Sequence, residues 1–142
     1  KQVLYSPVMK SRKIEFCTRC DDFSIRTDSA LLKRILLNMT KNAAEAIDDH
    51  GTITLGCHLS GNTASFRVNN MGIIPEDVRY QIFQRSFSTK GHGRGLGTYS
   101  MKLFGENYLQ GKVYFQSEEP MGTTFFIDLP LHLENTFTRK TV

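Results

Sequence analysis

Between Ala30 and Asp48 the apolar residues Leu32, Ile35, Leu36, Met39, Ala43, Ala46 and Ile47 recur at spacings of three and four. At about 100° per residue this pattern draws one apolar stripe along a helix, and such a stripe persists in water only when another apolar surface covers it. Asp28-Ser29 stands just ahead of the helix as a cap. A short oxygen-bearing side chain there accepts from free backbone N–H groups of the first turn. Gly51 ends the element. The rest of the chain must therefore supply the surface that covers the stripe.

Alternating segments supply it. TITLGCHLS and TASFRVNN, joined by Gly61-Asn62, read as a hairpin whose turn residues tolerate positive φ. GKVYFQSEE and GTTFFIDLP read as a closing hairpin with Pro120-Met121-Gly122 near its turn. Ser11 to Arg26 reads as two extended pieces, IEFCT and FSIRT. Pro75 and Glu76 open a short helix, DVRYQIFQR, with proline in the first turn, where its missing N–H does no harm. A further helix is expected from Thr98 to Asn107, and the tail from His132 to Val142 is polar and reads as loose. The expected fold class is α/β (α+β): a two-layer sandwich of a mixed, mainly antiparallel sheet covered on one face by helices. With 142 residues, 39% of them hydrophobic, the chain fits one compact domain with its own core.

The net charge of +4 is spread along the chain with no basic stripe interleaved with aromatics, so nucleic acid is not an expected partner. No stretch approaches the roughly 18 consecutive apolar residues of a membrane span, so no direct membrane contact is expected. Of Cys17, Cys20 and Cys57, the first two form a CxxC, but residues three apart in a strand point to opposite faces. No second CxxC or His pair completes a zinc site. The three are read as structural thiols in a reducing cytosol.

Three stretches can carry chemistry. In NMTKNAAEAI, Asn38 and Asn42 stand one helical turn apart on the border of the apolar stripe, with Glu45 on the same edge. A half-buried amide there either bonds neighbouring backbone or turns its carbonyl oxygen to a hard cation such as Mg²⁺. In SFRVNNMGIIP, the period of two places Asn70 on the inner face with Phe66 and Val68, while Arg67 and Asn69 point outward. An inward amide suits a heteroaromatic base, and Gly72 would let a flat ring approach the backbone; an ordinary Asn-Gly turn is the alternative. FSTKGHGRGLG places glycines ahead of a helix, where successive N–H groups and the helix dipole favour an anion. Ser88 and Thr89 add donors, and Lys90 and Arg94 add charge. Neither GxxxxGK[ST] nor GxGxxG is present, since Lys90 precedes the glycines and Leu96 and Thr98 fall where glycine is required.

In this order the pieces resemble the ATP-binding catalytic domain of sensor histidine kinases, within the superfamily of gyrase B, heat-shock chaperone and MutL ATPases. The resemblance runs from Asp28 to Pro130: an N-box in ILLNMTKNAAEAI, a G1-type box in VNNMGIIP, an F-box in IFQRSFSTK, a G2 box in GRGLGTYSMK and a closing GTTFFIDLP. It implies a Bergerat-type fold with ATP and Mg²⁺ as cofactors. Asn42 corresponds to the asparagine that holds Mg²⁺ against the triphosphate. Asn38 occupies the place of a glutamate that activates water in the gyrase branch; an amide cannot be a general base, which favours phosphoryl transfer over hydrolysis. Asn70 replaces the usual aspartate that accepts from the adenine amine. Gly93, Gly95, Leu96 and Gly97 correspond to the second glycine box, Lys90 and Arg94 to the lid, and Thr123 to the threonine behind the adenine. The G1 box departs from Asp-x-Gly-x-Gly, with Asn70-Met71-Gly72 followed by Ile73-Ile74-Pro75. None of His50, His58, His92 and His132 has the setting of a helical phosphoacceptor. The acceptor is expected on a dimerisation domain preceding residue 1, with residues 1–12 as linker, 13–131 as catalytic domain and 132–142 as tail. A response regulator downstream, a homodimer only in the full-length protein, and a cytoplasmic location, including as the cytoplasmic part of a membrane-anchored sensor, complete what the resemblance implies. A nucleotide-binding interaction module without turnover and a serine kinase of the anti-sigma-factor type are the alternatives.

Overall fold

The computed structural model describes residues 13–47, 50–84 and 96–133. Strand β1 (Lys13–Cys20) leads through helix α1 (Ser29–Ala46) to the hairpin of β2 (His50–Ser60) and β3 (Thr63–Asn70). Helix α2 (Glu76–Arg79) and helix α3 (Leu96–Leu103) follow, the latter continued by a π-helical turn over Phe104–Tyr108. The hairpin of β4 (Lys112–Glu118) and β5 (Gly122–Pro130) closes the fold.

The strands form one five-stranded sheet in the order β1-β2-β3-β5-β4. β1 and β2 are parallel, as α1 crossing between them requires, and every other pair is antiparallel. The apolar stripe of α1 lands on the sheet: Ile35 and Met39 are fully buried, and Ala43 nearly so, against Ile53, Val68 and Ile127. Met101 brings α3 into the same core. This is the two-layer, one-face-covered sandwich that the alternation and the stripe call for. No described helix is long and apolar enough to cross a membrane.

The local signals act as read. Asp28 caps α1, its Oδ1 accepting from the Leu31 N–H at 3.1 Å. Gly61 turns the β2–β3 hairpin at φ +58°. The structure differs at several places. α1 closes at Ala46 with Ile47 already extended, so Gly51 does not end the helix but lies inside β2. FSIRT is no strand: Phe23 sets its ring against Phe66, with centroids 6.1 Å apart. Its backbone meets the fold through an isolated bridge between Arg26 and His132. That bridge also ties down the first residues of the segment read as tail, Leu133 N–H donating to Arg26 O at 2.8 Å. The helix after Pro75 is one turn long. Pro75 itself precedes it with extended backbone, and beyond Arg79 the chain continues to Gln84 in tighter turns, Gln81 and Gln84 bonding back three residues. The Arg79 guanidinium folds back onto Ile74 O at 2.9 Å. The last helix starts at Leu96, ahead of the expected Thr98, and ends in the π turn.

Candidate functional site

The end of β3 is where the covered face turns polar. Asn70, in line with Ala64, Phe66 and Val68, points beneath the helix layer as the period of two requires, and only 3% of it is exposed. Its Nδ2 is a buried donor with no partner among the described residues. An amide N–H shut from water without an acceptor costs roughly 1–3 kcal/mol, so the position is suited to a ligand that supplies one. Gly72 holds the space beside it. A Cβ built on Gly72 would lie 3.0 Å from Asn70 Nδ2 and 3.2 Å from Ala46 O. Bare backbone at 72 therefore keeps a gap between the Asn70 amide and the last turn of α1, one turn on from Asn42.

Thr123 is the β5 partner of Asn70 in the sheet and is equally buried. Its hydroxyl donates to Gly72 O at 2.7 Å. Ser117 on β4 lies 2.7 Å from the same hydroxyl and accepts from the Ile74 N–H at 2.8 Å. Since the single Thr123 proton is spent on Gly72 O, the Ser117 hydroxyl must donate to Thr123. The relay runs from Ile74 N–H through Ser117 and Thr123 to Gly72 O, and it pins both ends of the 72–74 loop to the β4–β5 hairpin. Gly122 completes the seat: with φ +82°, a Cβ there would fall 2.2 Å from Asn70 O. Ser117 was missed by the sequence reading. Alternation along β4 places it inward in line with Val113 and Phe115, but its partners Ile74 and Thr123 lie far off in sequence.

The helices supply the other wall. Asn38, Asn42 and Glu45 lie half-buried along one edge of α1, and the Asn42 amide nitrogen is shut off from solvent. α1 packs on both β3 and α3. Leu96 opens α3, and Gly97 is in its first turn, where an added Cβ would meet nothing within 4 Å among the described residues. Thr98 Oγ1 donates to Ile82 O at 2.5 Å, clasping that first turn to the chain before residue 85. Phe83 anchors the same segment, its ring packed on Phe115 and Phe125 with Lys102 Nζ 4.7 Å from its centroid. The structure thus brings Asn70, Gly72 and Thr123 together and sets α1 and α3 side by side. Ser88, Thr89, Lys90, Gly93, Arg94 and Gly95 lie outside the described residues.

No group of three or more His, Cys, Asp or Glu side chains among the described residues is arranged to hold a metal. Mg²⁺ fits nonetheless, because it characteristically takes one or two protein oxygens and fills its shell with water and phosphate. An amide oxygen such as that of Asn42 is a suitable ligand.

Residues 27–133 match the family described as histidine kinase-, DNA gyrase B- and HSP90-like ATPase. Sensor histidine kinase ZraS of Escherichia coli K12 is 33% identical over 140 residues, covering 96% of this chain. The chain spans 29% of that relative's length. The nucleotide-free catalytic domain of histidine kinase ThkA superposes with a TM-score of 0.80 at 28% identity, covering 94% of this chain and 90% of that one. ThkA in complex with the response regulator protein TrrA matches with a TM-score of 0.74 at 26% identity, over 92% of this chain and 38% of that one. The family match, the curated relative and the shared fold agree: the chain belongs to the histidine kinase-, DNA gyrase B- and HSP90-like ATPase family, as a catalytic domain of the histidine-kinase type.

Proposed function

We propose that this domain binds ATP with Mg²⁺ and presents the γ-phosphate to a histidine on a dimerisation domain of the same protein, for onward transfer to a response regulator. The observation that carries the reading is the unpartnered, buried Asn70 amide beside Gly72 and Thr123, a polar seat that a purine edge would complete. Asn70 reads the base, its carbonyl accepting an exocyclic amine and its Nδ2 meeting a ring acceptor. Thr123 and Ser117 hold the loop that lines the base. Asn42 offers the metal its amide oxygen. Gly97 leaves the α3 N-terminus open to phosphate, where N–H groups and the helix dipole favour negative charge. Lys90 and Arg94, with Ser88, Thr89, Gly93 and Gly95, would close over the phosphates. Bound Mg²⁺ would supply charge neutralisation for the transferring phosphoryl group. Asn38, carrying an amide, cannot take a proton from water, which favours transfer to a protein acceptor over hydrolysis.

Titrating the domain with a fluorescent ATP analogue, with and without Mg²⁺, tests this reading. Mg²⁺-assisted binding that Asn42→Ala weakens at least about tenfold, or roughly 1.4 kcal/mol, is expected. Equal binding by both proteins would remove Asn42 as metal ligand. In the full-length protein the phosphorylated product should be labile to acid, as phosphohistidine is. An acid-stable product would point to the serine-kinase alternative.

A further inference from the structure

Cys17 and Cys20 share one strand and lie on opposite faces of it, so the CxxC does not converge. A different pair does. Cys20 ends β1, and its Cα partner on the parallel neighbour β2 is Cys57. Side chains at paired positions of neighbouring strands project to the same face. The pairing holds to the end of the strand, since the Asp21 N–H donates to Cys57 O at 2.9 Å and Cys57 Sγ lies 3.9 Å from Asp21 O. Both border a hollow at the sheet end shared with Arg19, Asp21, His58 and Arg67. Cys20 is exposed and Cys57 partly so, and all three cysteines are free thiols.

We propose that Cys20 and Cys57 form a reversible oxidation site, which a hydroperoxide converts into an intramolecular disulfide. Adjacent strands lie about 4.8 Å apart, inside the roughly 4.4–6.8 Å between Cα atoms that a disulfide spans. The Cys20 sulfur, the more exposed, attacks the peroxide oxygen; the O–O bond breaks, one oxygen leaves as water or alcohol, and Cys20 becomes a sulfenic acid. The Cys57 sulfur then attacks the Cys20 sulfur. An S–S bond forms, the S–O bond breaks, and the Cys57 proton leaves with the hydroxide as a second water. Two thiols are oxidised by two electrons and the peroxide is reduced by two. The surroundings suit these roles. Burial, followed by the neighbouring Cys20 and Asp21, pushes the Cys57 thiol up to about 12, against an opposing pull from Arg67. The raised value keeps Cys57 a thiol, so it is not the sulfur that meets the peroxide first. Cys17, on the other face of β1, takes no part.

The test is to treat the folded chain, dilute, with hydrogen peroxide and read intact mass, free thiols and disulfide-linked peptides. The parent and Cys17→Ser should each lose about 2 Da and two thiols, link the Cys20 peptide to the Cys57 peptide, and recover on reduction with dithiothreitol. Cys57→Ser should stop at a sulfenic acid on Cys20 that dimedone traps, and Cys20→Ser should form no internal link. Should the parent, folded by circular dichroism, link through Cys17, link only between chains, or over-oxidise without a Cys20–Cys57 bridge, the proposal fails.

Discussion

The two faces of the sheet are built from the same strands by different chemistry. Along β5 burial alternates residue by residue, with Thr123, Phe125, Ile127 and Leu129 turned beneath the helices. Beneath α1 the covered face is mainly apolar, and it turns polar at the end where Asn70, Thr123 and Ser117 meet. The open face satisfies its polar groups laterally. Asp128 accepts from Ser65 on one oxygen at 2.7 Å and from Tyr114 on the other at 3.0 Å. Asn69 donates to Thr124 at 2.9 Å, and the Arg67 guanidinium lies over Gly56 beside His58. Tyr114 stacks on Phe126 at 4.7 Å with planes 10° apart. Burial under helices therefore sets stability and leaves the Asn70 Nδ2 donor unmet among the described residues, whereas Asp128, Asn69 and Arg67 on the open face find partners on neighbouring strands.

The largest expected effect lies in the covered layer. Ile127→Ala removes a fully buried side chain on β5, an interior strand of the sheet, and leaves a cavity, which costs about 2–5 kcal/mol. Urea unfolding should show it as a lower midpoint with an unchanged slope. A loss below about 1 kcal/mol would mean that the core collapses around the gap, and the contrast between faces would weaken.

Thr123→Val comes next and separates stability from binding. The side chain keeps its approximate volume but strands Gly72 O and the Ser117 hydroxyl, at a cost of about 1–3 kcal/mol. Nucleotide-analogue affinity should fall as well, because the 72–74 loop loses its tether to β5. A variant as stable as the parent and binding equally well would show that the hydroxyl relay holds nothing in place.

What the sequence disclosed follows the range of the forces concerned. The α1 stripe, the Asp28 cap and the Gly61 turn are local, and the structure has each where the pattern put it. Asn70 was legible because alternation alone fixes which way it faces. FSIRT was misread because alternation in Phe23 and Ile25 does not require a partner strand; a bend towards Phe66 buries the same ring. The parallel placing of β1 beside β2, and with it the meeting of Cys20 with Cys57, depends on contacts across the length of α1 that no local window contains. Ser117 was overlooked for a related reason: its role arises only when the β4–β5 hairpin is set against the loop after β3.

The smallest effect, and the sharpest probe of the open face, is Tyr114→Phe. The ring keeps its stacking on Phe126 and loses one hydrogen bond to Asp128, so the loss at neutral pH should be about 0.5–1.5 kcal/mol. Its pH dependence carries more information. Burial, then the hydrogen bond and charge of Asp128, hold the Tyr114 phenol above its ordinary value of 10.0. The fold thus favours the neutral phenol, and this contribution is complete below pH 10 and disappears as pH rises through the raised folded value. Above pH 10 the unfolded chain gives up the proton more readily, so the parent should lose stability faster than Tyr114→Phe, and the gap between them should narrow. Urea midpoints at pH 7, 9 and 10.5 would reveal it. A gap that stays constant across that range would mean that Asp128 does not hold the phenol, and that the open face is less tightly bonded than its geometry implies.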